Sequence, residues 1–325
     1  MVTPITAPQV KQKALELGFQ KVGIARVEPL DSDAALPPDE AATQAALLHW
    51  LNQGYDADMA WMHNPKRHNI RQVMPAVRSV ICVALNYYTP HERPDDAAYG
   101  KIARYGWGRD YHKILQKRLK ALAQWLTAQA ADQNIAVVTR HYADTGPVQD
   151  KFWAQTAGLG WIAKNGNLIT RDYGSWVVLG EVLTNLVLEA DRPHTAHCGT
   201  CTQCLAACPT QAIRAPTVVD ANRCIAYHTI ENRSDTLPPA IAANLNGWVA
   251  GCDICQDVCP WNQRFAQSTD LEDFQPYPWN VAPALTDLAN LSEAEWNQRF
   301  PASALRRIKP EMWRRNAAAA AKDSR

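Results

Sequence analysis

Eight of the nine cysteines stand at spacings that have a known chemistry. Cys198-Gly-Thr-Cys201-Thr-Gln-Cys204-Leu-Ala-Ala-Cys208-Pro209 follows C-x2-C-x2-C-x3-C-P, the run that wraps 4Fe–4S clusters in bacterial ferredoxins. In two-cluster ferredoxins the fourth cysteine of such a run ligates the other cluster. The rule requires a second set, and Cys252-Asp-Ile-Cys255-Gln-Asp-Val-Cys259-Pro260 supplies it, with Cys224 between the two runs. Crossing the runs assigns Cys198, Cys201, Cys204 and Cys259 to one cluster. Cys208, Cys224, Cys252 and Cys255 go to the other. Zinc and disulfides also use C-x2-C pairs, but the doubled Cys-Pro endings and the crossing count fit them poorly. Cys82 lies in the apolar run Ser79–Leu85 and reads as a packing residue of a buried strand.

A second group that can do chemistry is Asp144, in Asp144-Thr-Gly-Pro147 at the end of the strand-like Ile135–Tyr142. Strand ends are where α/β domains place their sites. A carboxyl partly buried beside an apolar cofactor would have a raised pKa and could donate a proton near neutrality. The other reading is an N-cap for a helix starting at Pro147. The two stay level on these residues alone. Gly158-Leu-Gly-Trp-Ile-Ala-Lys-Asn-Gly166 offers a backbone that a bulky ligand can approach, but it follows a helix and lacks the dinucleotide fingerprint. The sequence contains no Walker A, H-E-x-x-H or G-x-S-x-G motif.

The elements that would hold these groups alternate. Helical spacing over 8–18 ends at Gly18, and Lys21–Val27 reads as a strand. A helix runs from Pro38 towards Gly54, and a polar, punctuated stretch, 56–71, reads as a functional loop. Arg78–Tyr88 is the strongest strand, and Tyr111–Ala131 has helical apolar spacing at Leu115, Leu119, Leu122 and Leu126. Its outer face carries Lys113, Lys117, Arg118 and Lys120, a solvated face or an RNA contact. Ser175–Thr184 is a further strand. The alternation predicts an α/β domain over 1–190. The cysteine domain follows over 191–265, and a helical basic tail over 266–325.

At 325 residues, 47% hydrophobic and 20% charged, the chain can bury a full catalytic core, and a formal charge of +1 announces no global partner. The N-terminus lacks a signal-like apolar core and no run reaches a membrane span, so the reading is a cytoplasmic protein with no membrane partner. From Arg299 to Arg325 there are eight basic residues and two acidic ones, with Trp296 just before them and Phe300 and Trp313 among them. That composition suits a phosphate-binding edge, with a solvated terminal helix as the alternative.

Taken together, Trp107-Gly-Arg-Asp-Tyr-His112, Asp144-Thr-Gly-Pro147, Ala157–Asn165, Tyr173-Gly-Ser175 and both cysteine runs closely resemble the epoxyqueuosine reductases, iron–sulfur and cobalamin enzymes of tRNA queuosine synthesis. The resemblance implies a mixed fold, between α+β and α/β: an N-terminal α/β cobalamin-binding catalytic domain, a ferredoxin-like domain with two 4Fe–4S clusters, and a short helical tail. It implies reduction of epoxyqueuosine to queuosine at the wobble position of the tRNA anticodon. An external low-potential electron donor would feed the clusters, the clusters a cobalamin, and Asp144 would give the proton. The family's cobalamin-contacting positions fall on Arg67, Asp144, Lys164, Ile169, Leu179 and Asp253. Ala103 stands where some relatives have cysteine. Some relatives continue into a helical-repeat domain that helps hold tRNA, so the expectation here is a tRNA grip made by the catalytic domains and the short tail. Two other classes share the cysteine runs. A corrinoid reductive dehalogenase would be expected to carry a twin-arginine signal, and a ferredoxin-type carrier would not need so large a domain ahead of its clusters.

Overall fold

The computed structural model describes residues 5–31 and 34–323; the first four residues of the leader reading and Arg325 of the basic tail lie outside them. Four strands form the central sheet: β1 (Lys21–Arg26), β2 (Ser79–Asn86), β3 (Thr139–Tyr142) and β4 (Val177–Thr184). Their order is β1-β2-β4-β3, and every neighbouring pair is antiparallel. The α/β reading is thereby corrected in one respect, because a sheet of that class runs parallel. The cause of the misreading is visible in β2, all eight of whose residues are buried. A strand covered on both faces shows an unbroken apolar run in either direction of travel.

The two covers are helical. Ile81, Val83 and Leu85 pack with Leu115, Leu119, Leu122 and Leu126 of the helix Tyr111–Ala131. Val80, Cys82 and Ala84 pack on the opposite side with Val148, Trp153 and Ala154, the last two from the helix Asp150–Thr156. Cys82 is fully buried. Glu181 on β4 is its register partner and is buried too; burial, with Asp150 nearby, pushes the Glu181 carboxyl well up. Of the expected strand Ile135–Tyr142 only β3 pairs, and Ile135 and Val138 are exposed at the sheet's edge. The helix Pro38–Asn52 has no fully buried residue and touches the cysteine part through Trp50, whose Nε1 donates to the Val219 carbonyl at 2.7 Å.

The C-terminal segment is a core element. Lys101–Ile102 pairs in parallel with Trp248–Ala250, and on this ribbon lies the helix Pro310–Asp323. Its Met312, Trp313, Ala317 and Ala320 are buried with Trp107, Trp248 and Trp296, and Trp313 stacks on Phe300 at 5.1 Å. Asn316 is fully buried and donates to the carbonyls of Thr229 and Val249, both at 2.9 Å. Among the described residues no helix is long and apolar enough to cross a membrane.

Gly160 shows why the glycine-punctuated turn exists. Trp161–Ile162 and Leu168–Ile169 form a small hairpin, and a Cβ at Gly160 would stand 2.1 Å from the Ile169 carbonyl oxygen. The close approach is to the chain's own backbone. Gly160→Ala is expected to lower stability by about 1–3 kcal/mol or more, since no side chain can move aside, and thermal unfolding checks it.

Candidate active site

The cysteines come together as two quartets. Cys198, Cys201, Cys204 and Cys259 line a cavity of about 110 Å³ shared with His197 and Trp261. Cys208, Cys224, Cys252 and Cys255 lie on the wall of a larger one of about 450 Å³. The electrostatics divide them the same way. Burial first, then Cys259, Cys198 and Cys201, push the Cys204 thiol up. Burial, then Cys224, Asp253 and Cys208, push up Cys255, and a smaller effect from Cys204 on Cys255 makes the quartets neighbours. Four crowded thiols resist ionisation until a cation neutralises them, which suits a metal cluster. Cubane ligands stand too far apart to chelate one ion, and among the described residues no three His, Cys, Asp or Glu converge on a single-ion site.

Short helices set the sulfurs. Cys259 precedes the helix Pro260–Phe265, and the amides of Asn262 and Trp261 favour its thiolate; Cys224 precedes Ile225–Ile230, with Tyr227 and Ala226 in the same role. The Ala212 amide donates to Cys208 Sγ at 3.2 Å. Lys164 fastens the first run, its Nζ donating to the carbonyls of Gly199 and Cys201 at 2.7 and 2.8 Å.

Asp144 sits in the loop after β3, with φ +61°. A non-glycine residue in the left-handed region costs about 1–3 kcal/mol and needs surroundings that hold it there. Tyr111 Oη donates to Asp144 Oδ2 at 2.7 Å, and His112 Nε2 meets the same oxygen at 3.2 Å. His112 Nδ1 lies 2.7 Å from Asp110 Oδ1, and Asp110 also caps the helix Tyr111–Ala131 by accepting from the His112 amide. The Tyr111 and His112 rings stack at 4.0 Å. The cap reading of Asp144 fails, because the next helix begins at Asp150 with Gln149 at its N-cap.

The protein's own groups act against the raised pKa expected for a carboxyl beside an apolar cofactor. Partial desolvation pulls the Asp144 carboxyl upward, although its side chain stays 56% exposed, but hydrogen bonds from His112 and Tyr111 and the imidazolium charge outweigh it and hold it below the usual carboxylate range. His112 is the elevated group. Burial works against its charge, yet its bonds to Asp110 and Asp144 bring it to about 9. At neutral pH the proton therefore rests on the imidazole, 3.2 Å from Asp144.

Asp144 and Arg67 line a wide opening of about 790 Å³ with Trp61, Glu231, Arg306 and Arg307. Tyr105, Tyr111 and Ile230 belong both to this opening and to the 450 Å³ cavity, so the two adjoin. Leu179 and Asp253 line the inner cavity, whose lining is mostly apolar and includes Tyr87, Val177 and Ala103. Lys164 and Ile169 line the first quartet's cavity instead. Asp253 is almost fully buried and its carboxylate is turned to Arg93 Nη2 at 2.6 Å and the Arg104 amide at 2.8 Å. Sequence reasoning assigned no role to Tyr111 or His112; the signal was Asp110-Tyr-His112 at a helix start, where a cap must stand.

Arg314 and Arg315, in the basic tail, are structural. Arg314 donates to the Leu291 carbonyl, and Arg315 to the carbonyls of His228, Asn232 and Ser234. The arginines that reach the opening are Arg67, Arg306 and Arg307, the last paired with Glu231 and stacked over Trp61. On the Tyr111–Ala131 helix, Lys113, Lys117 and Lys120 are exposed, while Arg118 donates to the Gly18 carbonyl.

Known proteins match the chain in two regions. Residues 67–145 match the family model "Epoxyqueuosine reductase QueG, DUF1730", and 197–262 match "4Fe-4S double cluster binding domain". The epoxyqueuosine reductase of Synechocystis sp. is 63% identical over 92% of this chain and 99% of its own length. That of Gloeobacter violaceus is 52% identical over 97% and 95%. A crystal structure of epoxyqueuosine reductase with an epoxyqueuosine-modified tRNA-Tyr stem loop is 28% identical, with a TM-score of 0.87, over 98% of this chain and 81% of that one. The enzyme from Streptococcus thermophilus, 26% identical over 96% and 80%, gives 0.82. Sequence identity, family models and fold thus converge, and the chain belongs to the epoxyqueuosine reductase family.

Proposed function

We propose that this chain reduces epoxyqueuosine to queuosine at the wobble position of tRNA, in the cytoplasm, removing the epoxide oxygen as water with two electrons and two protons. The observation that carries the reading is the placement of Asp144 and His112 in an opening that adjoins a cavity walled by a cysteine quartet. The two quartets each fit a 4Fe–4S cluster, and an external low-potential donor would fill them one electron at a time. The 450 Å³ cavity, apolar and continuous with the opening, suits the planar body of a cobalamin, whose cobalt would supply a reductant able to act on an epoxide.

What the protein's own groups do follows from their positions. Leu179, Val177 and Tyr87 exclude water from the cavity, and Asp253 stays with Arg93 as part of its wall. Arg67 and Arg306 face the opening, where anticodon phosphates would lie. His112 Nε2 holds a proton against Asp144 Oδ2, and Asp144 passes it to the oxygen that leaves. In this division residues 1–190 hold substrate and cofactor, 191–265 supply electrons, and 266–325 close one side of the opening.

The proton's position sets a pH dependence. His112 is charged below about 9, so the rate of a single turnover is expected to hold at neutral pH and fall as pH rises through about 9. Asp110→Asn removes one of the two carboxylates that support the imidazolium, so the falling limb moves to lower pH. A pH profile of the two proteins on an epoxyqueuosine-containing stem loop checks both. Nucleoside analysis of tRNA from a deletion strain tests the function itself: epoxyqueuosine accumulates if the reading is right, and normal queuosine there would end it.

A further inference from the structure

Charge is one-sided around the first quartet. Three segments build its surroundings, 159–171, 192–207 and 258–265. Together they contain Lys164, Arg171, Arg192 and Arg264 and not one Asp or Glu, in a chain whose formal charge is only +1. The acids that adjoin these segments are already engaged: Asp172 pairs with Lys21, Asp191 with Lys11, and Asp257 with Arg93 and Arg104. Arg171, Arg192 and Arg264 are exposed.

Aromatic side chains connect this rim to the sulfurs. Trp261 and His197 line the quartet's cavity. Phe265 stacks on Trp261 at 5.1 Å, and the Arg264 guanidinium lies over Phe265 at 5.3 Å. Arg171 Nη2 is 3.0 Å from His197 Nε2, and His194 packs edge-on against His197. Cys198, Cys201 and Cys204 are themselves only partly buried, and Gly199, Thr200, Thr202 and Gln203 between them are exposed. The second quartet instead walls the inner cavity.

We propose that this basic, aromatic-centred patch is the docking surface for the electron donor, and that the donor is a small acidic one-electron carrier protein of the flavodoxin or plant-type ferredoxin class. The inference rests on reading the quartets as iron–sulfur clusters. Positive charge on this rim and negative charge on the carrier steer the encounter, and Trp261 and Phe265 form the small apolar centre that a weak, transient redox interface needs. RNA is the other polyanion at hand. It is the less favoured partner because the opening that holds Asp144 shares no lining residue with the first quartet's cavity, so a base placed at Asp144 does not itself cover this patch.

The test uses cluster-loaded protein, a reduced flavodoxin as the carrier, dithionite as a small reductant, and R171E/R192E/R264E with its milder partner R171Q/R192Q/R264Q. The electron readout is the rate of cluster reduction followed by absorbance. The binding readout is flavodoxin affinity by calorimetry at rising salt. Reduction by flavodoxin should fall roughly tenfold or more in the Glu variant and less in the Gln variant, with a flattened salt dependence. Dithionite reduction should change by less than about twofold, because a small anion is little steered. Unchanged reduction and affinity with flavodoxin in both variants would overturn the proposal. So would competition by an anticodon stem loop that the Glu variant abolishes, which would give the patch to RNA. Iron analysis separates the underlying reading: about eight irons per chain are expected, and failure to bind them would remove the clusters and this proposal together.

Discussion

Asp144→Asn is expected to lower the single-turnover rate of epoxide reduction by about 10²–10⁴-fold while iron content and corrinoid binding stay at wild-type levels. Asparagine is the substitution that isolates the chemistry. It tolerates the left-handed backbone at φ +61° better than most residues, and its amide oxygen can still accept from Tyr111 Oη. What is lost is the anionic oxygen that faces His112 Nε2. Two readouts move together. Turnover falls because no carboxyl remains to hand on the proton, and the pKa of His112 drops from about 9 because one of its two carboxylate partners has gone. Alanine would confound the result by adding backbone strain. A variant with full turnover would reduce Asp144 to a loop residue. Normal rate with a lowered His112 pKa would place the proton's route elsewhere.

The second large effect concerns a residue that touches no substrate. Arg93→Met is expected to destabilise the protein by about 3–5 kcal/mol, because it leaves the Asp253 carboxylate buried without its hydrogen-bonded cation. Asp253 is 1% exposed, and Arg93 Nη2 reaches it at 2.6 Å while also donating to the Ile102 carbonyl at 3.1 Å. The guanidinium lies against the rings of Trp107 and Trp248, 4.9 and 4.6 Å from their centroids, so the pair ties the Lys101–Ile102 ribbon to the second cysteine run. Burial raises the Asp253 pKa even with Arg93 in place, which measures how little solvation the carboxylate keeps. Thermal unfolding of the cluster-loaded protein should show a midpoint lowered by roughly 5–10 °C. R93M/D253N should recover part of the loss, since removing both charges is cheaper than stranding one. An unchanged midpoint in Arg93→Met would mean that water reaches Asp253.

Local patterns were legible where one residue's neighbours in sequence are also its neighbours in space. The helix Tyr111–Ala131 begins and ends where its apolar spacing and the Asp110 cap place it. Strand β2 was visible as an apolar run, yet its direction was not, because burial on both faces erases the alternation that would distinguish partners. The glycines at 158–166 announced a close backbone approach. Only the hairpin showed that at Gly160 the approaching group is the Ile169 carbonyl. The basic tail was misread in part for the same reason. Arg314 and Arg315 look like phosphate contacts in a list of charges, and their guanidinium groups are bound to carbonyls that lie far away in sequence.

By itself the sequence determined the two cysteine sets, because cluster ligation demands short, regular gaps that survive any fold, and the crossing count follows from them. It also determined that Asp144 ends a strand. The tertiary structure alone decided what kind of acid Asp144 is. Its pKa depends on Tyr111 and His112, more than thirty residues away along the chain, and on Asp110 behind His112, which together move the stored proton from the carboxyl to the imidazole. A carboxyl's charge state is set by the groups within a few ångströms of it, and those distances exist only after the chain has folded.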